Sequence, residues 1–460
     1  MKNIIKLLVL LPLFTMTACD DLFEPAIENN RDLDAMYSDP DYALGVLANG
    51  YILLPYNTSP TSDVATDDAV SNDNSNTWRA MATGAWTSQN DPASQWKNCY
   101  NAIQYLNLFL ERVESVPFSQ TENIQTMFVD SYSGEAYGLR AVYMYFLLRA
   151  HGGIGTDGQL LGVPIKTVSE SPESDFSQPR DTYADCIEQI LSDCDKAIEL
   201  LPLDYKDGHT ESEIPQKYLD LGINTDQYDR VNGVYRAGRI SGRIVEAVRA
   251  QVALMAASPA FDESGITWEE AANSAGTVLQ RIDGINGIDA DGYTWYCNTS
   301  EIAGLGNGSN PQEIIWRASY DDSNTLEGDN FPPSLYGNGR VNPTQNLVDA
   351  FPMANGYPID NSNSEYDASN PYENRDPRLA TYIITNGSTA GSATITTGSY
   401  GTNNDAINRE SGHSTRTGYY LRKHLRFDCN LDPNYNTEQR HYSARIRYTE
   451  IFLDYAEAAN

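Results

Sequence analysis

The chain has 460 residues, of which 40% are hydrophobic, so it can bury a large core and wholesale disorder is excluded. Its 63 acidic residues outnumber the 31 basic ones and give a formal net charge of −32, a field that repels phosphate backbones and anionic lipid headgroups. We therefore expect no nucleic-acid partner, whereas a neutral ligand is compatible with this charge.

The N-terminus has the layout of a signal peptide that ends at a lipidated cysteine. Two lysines and an apolar run over residues 7–14 precede Met16-Thr17-Ala18-Cys19. The run is too short to form a membrane-spanning helix. We predict a signal peptide over 1–18, acyl chains on Cys19 that hold the protein on a membrane, and a polar tether over 19–39.

Helical spacing of apolar residues begins at Pro40 and continues to Leu54. Residues 55–76 have the composition of a long surface loop. A second helix is predicted over 96–113, and its apolar stripe places Trp96 in the core. Trp78 and Trp86 lie instead among Gly, Asn and Asp residues, where we expect exposed indoles and a binding surface.

The stretch Ser133–Ile154 is apolar on most sides of a helix, which predicts a buried central helix. Glu135 is assigned to its first turn and Arg149 to its last turn, where their charges oppose the helix dipole. Gly152 and Gly153 are expected to end the helix.

Three further amphipathic helices are predicted, followed by a change of composition near residue 283. The helices are expected over 183–201, 240–257 and 268–282, with a loop over 206–234. After residue 283, Gly, Asn, Ser, Asp and Tyr dominate, and short extended pieces such as Glu313–Trp316 appear, with Trp316 expected in the core. Loops on a rigid scaffold usually carry ligand contacts.

No motif indicates catalysis, a metal or a cofactor. The five histidines are scattered, no H-E-x-x-H or G-x-S-x-G is present, and no Cys/His pair has zinc spacing. A metal or hydrolase site built from distant residues stays open. Structural calcium at Asp283–Asp291 also stays open without support, because the calcium-loop register fails at its first and last positions. Besides Cys19 there are five cysteines, an odd number, which we interpret as buried thiols.

Several motifs along the chain resemble those of the SusD/RagB family, the surface glycan-binding lipoproteins of Bacteroidota. They are, in chain order, Glu135, Leu139-Arg140-Ala141, Tyr143, Phe146 and Gly153 with Val163-Pro164; Arg180 with Thr182-Tyr183; Asn342–Phe351; Tyr372–Leu379; Gly418–Lys423; and Arg447–Ala458. Asp20-Asp21 after the lipidated cysteine resembles the surface-export signal of such lipoproteins.

The resemblance implies a mainly α fold, in which tetratricopeptide-like helix pairs carry an irregular, loop-rich half with short strands. The helical scaffold with inserted loops is expected over 40–282, and the irregular, ligand-binding half over 283–460, ending in a truncated C-terminal helix. Arg375, Asp376 and Arg378 are expected to build the fold rather than contact ligand.

By the same resemblance, the protein captures a polysaccharide or oligosaccharide at the outer-membrane surface, for nutrient uptake, without catalysis. It would deliver that ligand to a TonB-dependent, SusC-like transporter. Two alternatives remain at this stage: an adhesion or interaction protein whose aromatic loops contact protein, and a glycan hydrolase.

The candidate site rests on aromatic surface, because the chain contains 30 tyrosines and six tryptophans. A sugar ring can lie flat on an aromatic ring while polar side chains bind its hydroxyls. The candidate residues, chosen by their loop context, are Trp78, Trp86, Trp295, Tyr320 and Tyr336, with Asp73, Arg79, Asn90 and Asn330 as polar partners.

Overall fold

The computed structural model describes residues 38–306 and 308–460. The predicted signal peptide, Cys19 and nearly all of the tether lie outside the described residues. As predicted, the fold is mainly helical, with a tetratricopeptide-like scaffold and small pairs of strands.

The helices of the scaffold come first in the chain. They are α1 (Pro40–Ile52), α2 (Arg79–Ala82), α3 (Trp96–Leu110), α4 (Glu122–His151), α5 (Tyr183–Leu200), α6 (Gln216–Asp220), α7 (Thr225–Asn232), α8 (Gly242–Ala257) and α9 (Trp268–Gln280). The helices of the irregular half are α10 (Thr299–Ala303), α11 (Thr325–Asn330), α12 (Gln345–Ala350), α13 (Pro377–Tyr382) and α14 (Tyr448–Ala459).

The strands are short, and within the described residues they form six two-stranded antiparallel sheets. They are β1 (Ala69–Ser71), β2 (Gly153–Ile154), β3 (Leu160–Leu161), β4 (Ile314–Arg317), β5 (Asp321–Ser323), β6 (Val341–Pro343), β7 (Ile383–Ile384), β8 (Thr389–Ala390), β9 (Ala393–Thr394), β10 (Tyr420–Leu421), β11 (Gln439–His441) and β12 (Ala444–Arg447).

Helix α4 is the buried centre of the scaffold, as its apolar surface predicts. It has 30 residues, and its last residue is His151. The capping residue Gly152 is the predicted stop, and its N–H donates to the carbonyl of Leu148. It begins at Glu122, however, well before the predicted start. The assignment of Glu135 to the first turn is therefore wrong, and this carboxylate lies in the middle of the helix.

Glu135 is fully buried and pairs with cations from a later segment. It accepts hydrogen bonds from the guanidinium groups of Arg236 and Arg239 and from the hydroxyl of Tyr51. Arg236 belongs to a 3₁₀ turn that follows α6 and α7. The prediction of a loop over 206–234 missed these two short helices. Each helix is too short, and has too few apolar residues, to show a helical period.

The long helices pack on one another in chain order. Helix α3 packs between α1 and α4, α5 packs between α4 and α8, and α9 packs between α8 and α14. A bidentate ion pair between Arg140 of α4 and Asp193 of α5 is buried in this stack, with both N–O distances at 2.7 Å. Because both partners are almost fully buried, the pair requires this geometry to offset desolvation.

The elements after α9 are short helices and strands, apart from α14. The predicted extended piece at Glu313–Trp316 is confirmed as β4, and Trp316 is buried, as predicted. The guanidinium group of Arg375 donates to the carbonyls of Pro371, Val348 and Phe351, which confirms a role in building the fold. The carboxylate of Asp376 accepts from the backbone N–H and the guanidinium of Arg378 at the start of α13.

The described cysteines are free thiols. Cys99, Cys186, Cys194 and Cys429 are buried free thiols, as predicted, and Cys297 is half-buried. Among the residues that the structure describes, no helix combines the length and the apolar character needed to cross a membrane.

Candidate functional site

A cleft with aromatic walls opens at the C-terminal end of α4. Its volume is about 500 Å³, and its walls include Tyr56, Trp78, Tyr145, Phe146 and Arg149, a set that we call the aromatic cleft. Tyr145, Phe146 and Arg149 come from the last two turns of α4. The loop after α1 supplies Tyr56, and Trp78 precedes the first residue of α2.

The aromatic side chains of the cleft are held by edge contacts and by a cation. The ring of Tyr56 meets the ring of Phe146 edge-on, at 4.9 Å between centroids. The guanidinium of Arg149 lies 4.4 Å from the centroid of Phe146, on the exposed side of the helix. This arrangement places the guanidinium of Arg149 against the ring of Phe146 in the wall of the cleft.

Two buried polar atoms on the cleft wall lack hydrogen-bond partners among the described residues. They are the hydroxyl of Tyr56 and Oε1 of Gln251. The amide of Gln251 donates to Glu450 at 2.6 Å, so its Oε1 remains available as an acceptor. Burial raises the pKa of Tyr56, which keeps the hydroxyl protonated and able to donate. Both atoms are closed off from solvent, so a ligand hydroxyl would reach them only if the cleft wall moves.

A second, smaller cleft adjoins the aromatic cleft. Its volume is about 200 Å³, and it shares Asn57 and Ser62 with the aromatic cleft. Trp295, His424 and Arg447 line its other side. Burial, together with the charges of Lys423 and Arg447, lowers the pKa of His424 to about 3, so this imidazole is neutral at physiological pH.

Two tryptophans of the segment that follows Trp78 present their indoles to solvent. Trp86 is 51% exposed, and Trp96 is 43% exposed. The loop between them is fixed to the end of α4, because the backbone N–H of Gln95 donates to Nε2 of His151 at 3.1 Å. The ring of Trp96 meets the ring of His151 edge-on at 5.5 Å. The prediction that Trp96 lies in the core is therefore wrong.

Two family models match most of the described chain. The model SusD-like_3, described as "Starch-binding associating with outer membrane", matches residues 41–217, and the SusD family model SusD_RagB matches residues 312–460. The first match contains the aromatic cleft's Tyr56 and the last turns of α4, and the second contains most of the irregular half. This chain belongs to the SusD/RagB family.

Individual SusD-like proteins are similar to this chain in sequence or in structure. The SusD-like protein P38 of Formosa agariphila is 31% identical over 104 residues, a match that spans 22% of this chain and 17% of that relative. A SusD-like protein from Bacteroides fragilis has a similar structure, with a TM-score of 0.67 and 20% identity over 93% of this chain and 76% of that one. A laminarin-binding SusD-like protein has a TM-score of 0.55 and 17% identity, over 92% of this chain and 81% of that one.

Among the predicted site residues of this SusD-like chain, Trp78, Trp86 and Asn90 lie on one segment near the aromatic cleft. Trp78 is half-buried, because one part of its indole packs on a small cluster that includes Val64 and Leu421. Asn90 is exposed and closes a turn, in which its N–H donates to the carbonyl of Thr87 at 2.9 Å.

Asp73 and Arg79 lie at the start of the same segment, where they mainly contact local groups. A carboxylate oxygen of Asp73 accepts from the backbone and hydroxyl of Ser75, which lowers the pKa of Asp73. The guanidinium of Arg79 donates to the side-chain oxygen of Asn74 at 2.8 Å. Both side chains therefore order the loop, and both remain half-exposed.

Pairing of β1 with β6 brings this segment to the irregular half. The buried side chain of Asn72 strengthens the junction, because its amide donates to the carbonyls of Asn338 and Gly339 at 2.9 and 2.8 Å. Tyr336 lies near this junction and is 59% exposed, as expected for a binding residue.

Two predicted site residues are buried and one is partly covered, so the expectation of exposure needs correction. Asn330 is 1% exposed, and its Oδ1 accepts from the backbone of Val341, so it supports β6. Trp295 is 5% exposed and packs on Tyr442, although it borders the smaller cleft. Tyr320 is half-buried, with the guanidinium of Arg440 4.2 Å from its ring centroid.

Five residues of this region were not predicted as site residues from the sequence: Tyr56, Tyr145, Phe146, Arg149 and Trp96. Four of these lie on helices, where an apolar period is indistinguishable from a core stripe until the neighbours are placed. Trp96 is the first residue of α3 and is 43% exposed. The position of Trp96 at a helix start, directly after a polar loop, is the signal that could have identified it.

Proposed function

We propose that this protein captures a polysaccharide or oligosaccharide at the surface of the outer membrane without cleaving it. In this proposal acyl chains on Cys19 anchor the protein, and a TonB-dependent transporter receives the bound glycan for nutrient uptake. The family description, which combines starch binding with the outer membrane, supports both the ligand class and the location.

The observation that carries the proposal is the exposure of Trp86 and Trp96, which belong to the segment whose Trp78, Ala93 and Gln95 line the aromatic cleft. A sugar ring stacks its C–H face on an indole, and burial of on the order of 100 Å² contributes ~2–3 kcal/mol before ordering costs. One ring gives weak binding. Several rings along one segment can bind neighbouring sugar units of one polymer. When one unit dissociates, the others keep the polymer in place until a unit binds again.

The cleft chemistry favours a neutral, hydroxyl-rich ligand. The exposed guanidinium of Arg149 supplies hydrogen-bond donors, and the hydroxyl of Tyr56 and Oε1 of Gln251 lie behind the cleft surface without partners. Starch is the ligand in the family description, and laminarin is the ligand named for one structural neighbour. Both are neutral glucans, and they are the first polysaccharides to test.

The test is affinity gel electrophoresis in gels that contain starch, laminarin or a series of other neutral polysaccharides. We expect at least one glycan to retard the wild-type protein, and Trp86→Ala and Trp96→Ala each to weaken the affinity derived from the retardation about fivefold, as expected for ~1 kcal/mol of lost stacking. Trp268→Ala is the matched control, because Trp268 is a 39% exposed tryptophan on α9, outside the segment that carries Trp86 and Trp96.

Three other outcomes would contradict the proposal. Equal loss in the Trp268 variant would contradict the assignment of the site. Retardation by no glycan, with copurification of a barrel protein, would favour an interaction protein. Release of reducing ends from a bound glycan would favour a hydrolase.

A further inference from the structure

Three potential metal ligands from separate segments meet in the irregular half. Glu327 lies on α11, Cys429 lies in the loop between β10 and β11, and His441 is the last residue of β11. One ligand atom from each lies within 4.8 Å of the other two. In the part of the chain that the structure describes, this is the one such group, and we call it the Glu–Cys–His cluster.

The carboxylate of Glu327 is buried with one oxygen unsatisfied. Glu327 is 0% exposed, and its Oε1 accepts from the backbone N–H of Arg426 at 2.8 Å and faces Nε2 of His441 at 3.0 Å. Its Oε2 is buried and has no hydrogen-bond partner among the described residues. An unsatisfied carboxylate oxygen in the interior is costly, and an ion in contact with it would remove the cost.

The other two side chains are oriented as metal ligands. Nδ1 of His441 lies 2.7 Å from the carbonyl of Gln439, to which it donates, and this fixes Nε2 as the nitrogen that faces the cluster. Metal-binding histidines usually make such a bond on the opposite nitrogen. The thiol of Cys429 is 6% exposed and is the soft ligand of the group.

His441 already pairs with Oε1 of Glu327 through Nε2, and the neighbouring cation, Arg426, is paired elsewhere. The guanidinium of Arg426 is bidentate to Asp428, at 3.0 and 2.5 Å, and also donates to the carbonyl of Arg440. Its charge is therefore paired outside the cluster. It contributes its backbone N–H to Glu327, which orients the carboxylate.

We propose that Glu327, Cys429 and His441 bind a divalent transition-metal cation of the zinc type, through one oxygen, one sulfur and one nitrogen. Zinc accepts this set of ligands, with water in a fourth position. Calcium and magnesium prefer oxygen ligands alone, so the thiol and imidazole select against them. On binding, the metal replaces the thiol proton and the proton between Nε2 and Glu327, and both protons pass to solvent.

The cation would connect three segments that otherwise meet through few regular elements. Helix α11 follows β5, β5 pairs with β11, and Cys429 belongs to the loop that leads into β11. The sequence pattern cannot reveal this site, because its ligands are 102 and 12 residues apart. The consequence is structural: the metal would hold the loop between β10 and β11 against α11.

Cobalt binding to the full-length protein tests the proposal, because a cobalt–thiolate bond gives a charge-transfer absorption band. After treatment with a chelator and a thiol reductant, we expect one Co²⁺ per chain, a thiolate band, and loss of that band when Zn²⁺ is added. Added Zn²⁺ should also raise the melting temperature. A folded protein that gives no thiolate band would overturn the proposal.

Matched cysteine variants identify the ligand. Cys429→Ser should abolish the band, whereas Cys297→Ser should retain it, because Cys297 is a half-buried thiol of the same half that is not part of the cluster. Glu327→Gln keeps the shape of the side chain and should weaken Co²⁺ binding at least about tenfold. If Cys429→Ser does not fold, unchanged binding in Glu327→Gln and in His441→Ala would overturn the proposal.

Discussion

At the scale of single residues, Glu135 shows how strongly one buried charge can connect distant parts of this fold. The carboxylate lies on α4, and its partners Arg236 and Arg239 lie about 100 residues later, in the segment that leads into α8. Arg236 is 2% exposed. Each of these charges is tolerated in the interior only because the other is present.

Glu135→Gln should therefore destabilise the protein by about 3–5 kcal/mol, because it leaves Arg236 buried without a counter-charge. Urea unfolding monitored by circular dichroism measures this loss. The control is Asp195→Asn, which removes an ion pair with Arg249 in which the aspartate is 64% exposed. That change should alter the free energy of unfolding by less than about 1 kcal/mol. Equal losses in the two variants would contradict the argument.

His424 predicts a pH dependence at the same scale. Its ring lies 5.7 Å from the rings of Trp295 and Tyr296, and burial lowers its pKa from 6.5 to about 3. Below pH 6.5 the unfolded chain binds a proton that the folded protein does not bind, so stability falls as pH falls. This contribution is fully present above pH 6.5 and decreases down to about pH 3.

We expect the slope from this one group to approach about 1.4 kcal/mol per pH unit between pH ~6 and pH ~4. His424→Asn should reduce the slope, and asparagine tolerates the left-handed backbone of this residue, at φ +72°. Urea unfolding across this pH range provides the measurement. A variant with the same slope as the wild type would show that His424 binds its proton in the folded state.

At the scale of elements, the glycines of α4 allow other helices to approach closely. A Cβ atom at Gly138 would lie 2.9 Å from a methyl group of Val245 on α8 and 3.0 Å from one of Ile240. These distances are shorter than ordinary packing contacts. Gly45 on α1 is also helical but has open space around it.

The same substitution should therefore have opposite effects at these two positions. Gly138→Ala should destabilise the protein by about 1–2 kcal/mol through overpacking. Gly45→Ala should stabilise it by about 0.5–1 kcal/mol, because alanine favours the helix. Thermal and urea unfolding measure both changes. Stabilisation by both substitutions would mean that α4 and α8 can separate without cost.

At the scale of the whole molecule, the net charge of −32 determines which ligands can approach. A neutral glucan experiences no net force from this field, whereas a polyanionic polysaccharide is repelled until salt screens the charges. Screening shortens the interaction range to about 10 Å at about 0.1 M salt. The proposed stacking on Trp86 and Trp96 does not depend on charge.

Affinity for a neutral glucan should therefore change less than about twofold as sodium chloride is raised from ~0.02 to ~0.5 M. Any binding to a polyuronate should strengthen over the same range. Isothermal titration calorimetry at several salt concentrations tests both statements. Affinity for the neutral glucan that falls steeply with salt would place the dominant contact on a charged group instead of on the indoles.

Local sequence patterns were sufficient to predict the elements whose apolar period is long and whose ends carry clear signals. Helix α4 ends at the predicted glycine, and α5 begins after Thr182, whose side chain accepts from the N–H of Asp185. The motifs indicated the family, and the change of composition near residue 283 indicated the irregular half. These features depend on neighbours within a few residues, which is the range over which a sequence pattern carries information.

Tertiary structure alone decided which polar and aromatic side chains are buried and which meet. Trp96 was predicted to be buried but is exposed, and Asn330 was predicted to be exposed but is buried. The exposure of a side chain depends on which distant segment covers it. Glu135 with its two arginines and the Glu–Cys–His cluster join residues far apart in sequence. Such contacts join residues that are far apart in sequence. The spacing of residues along the chain therefore does not predict them.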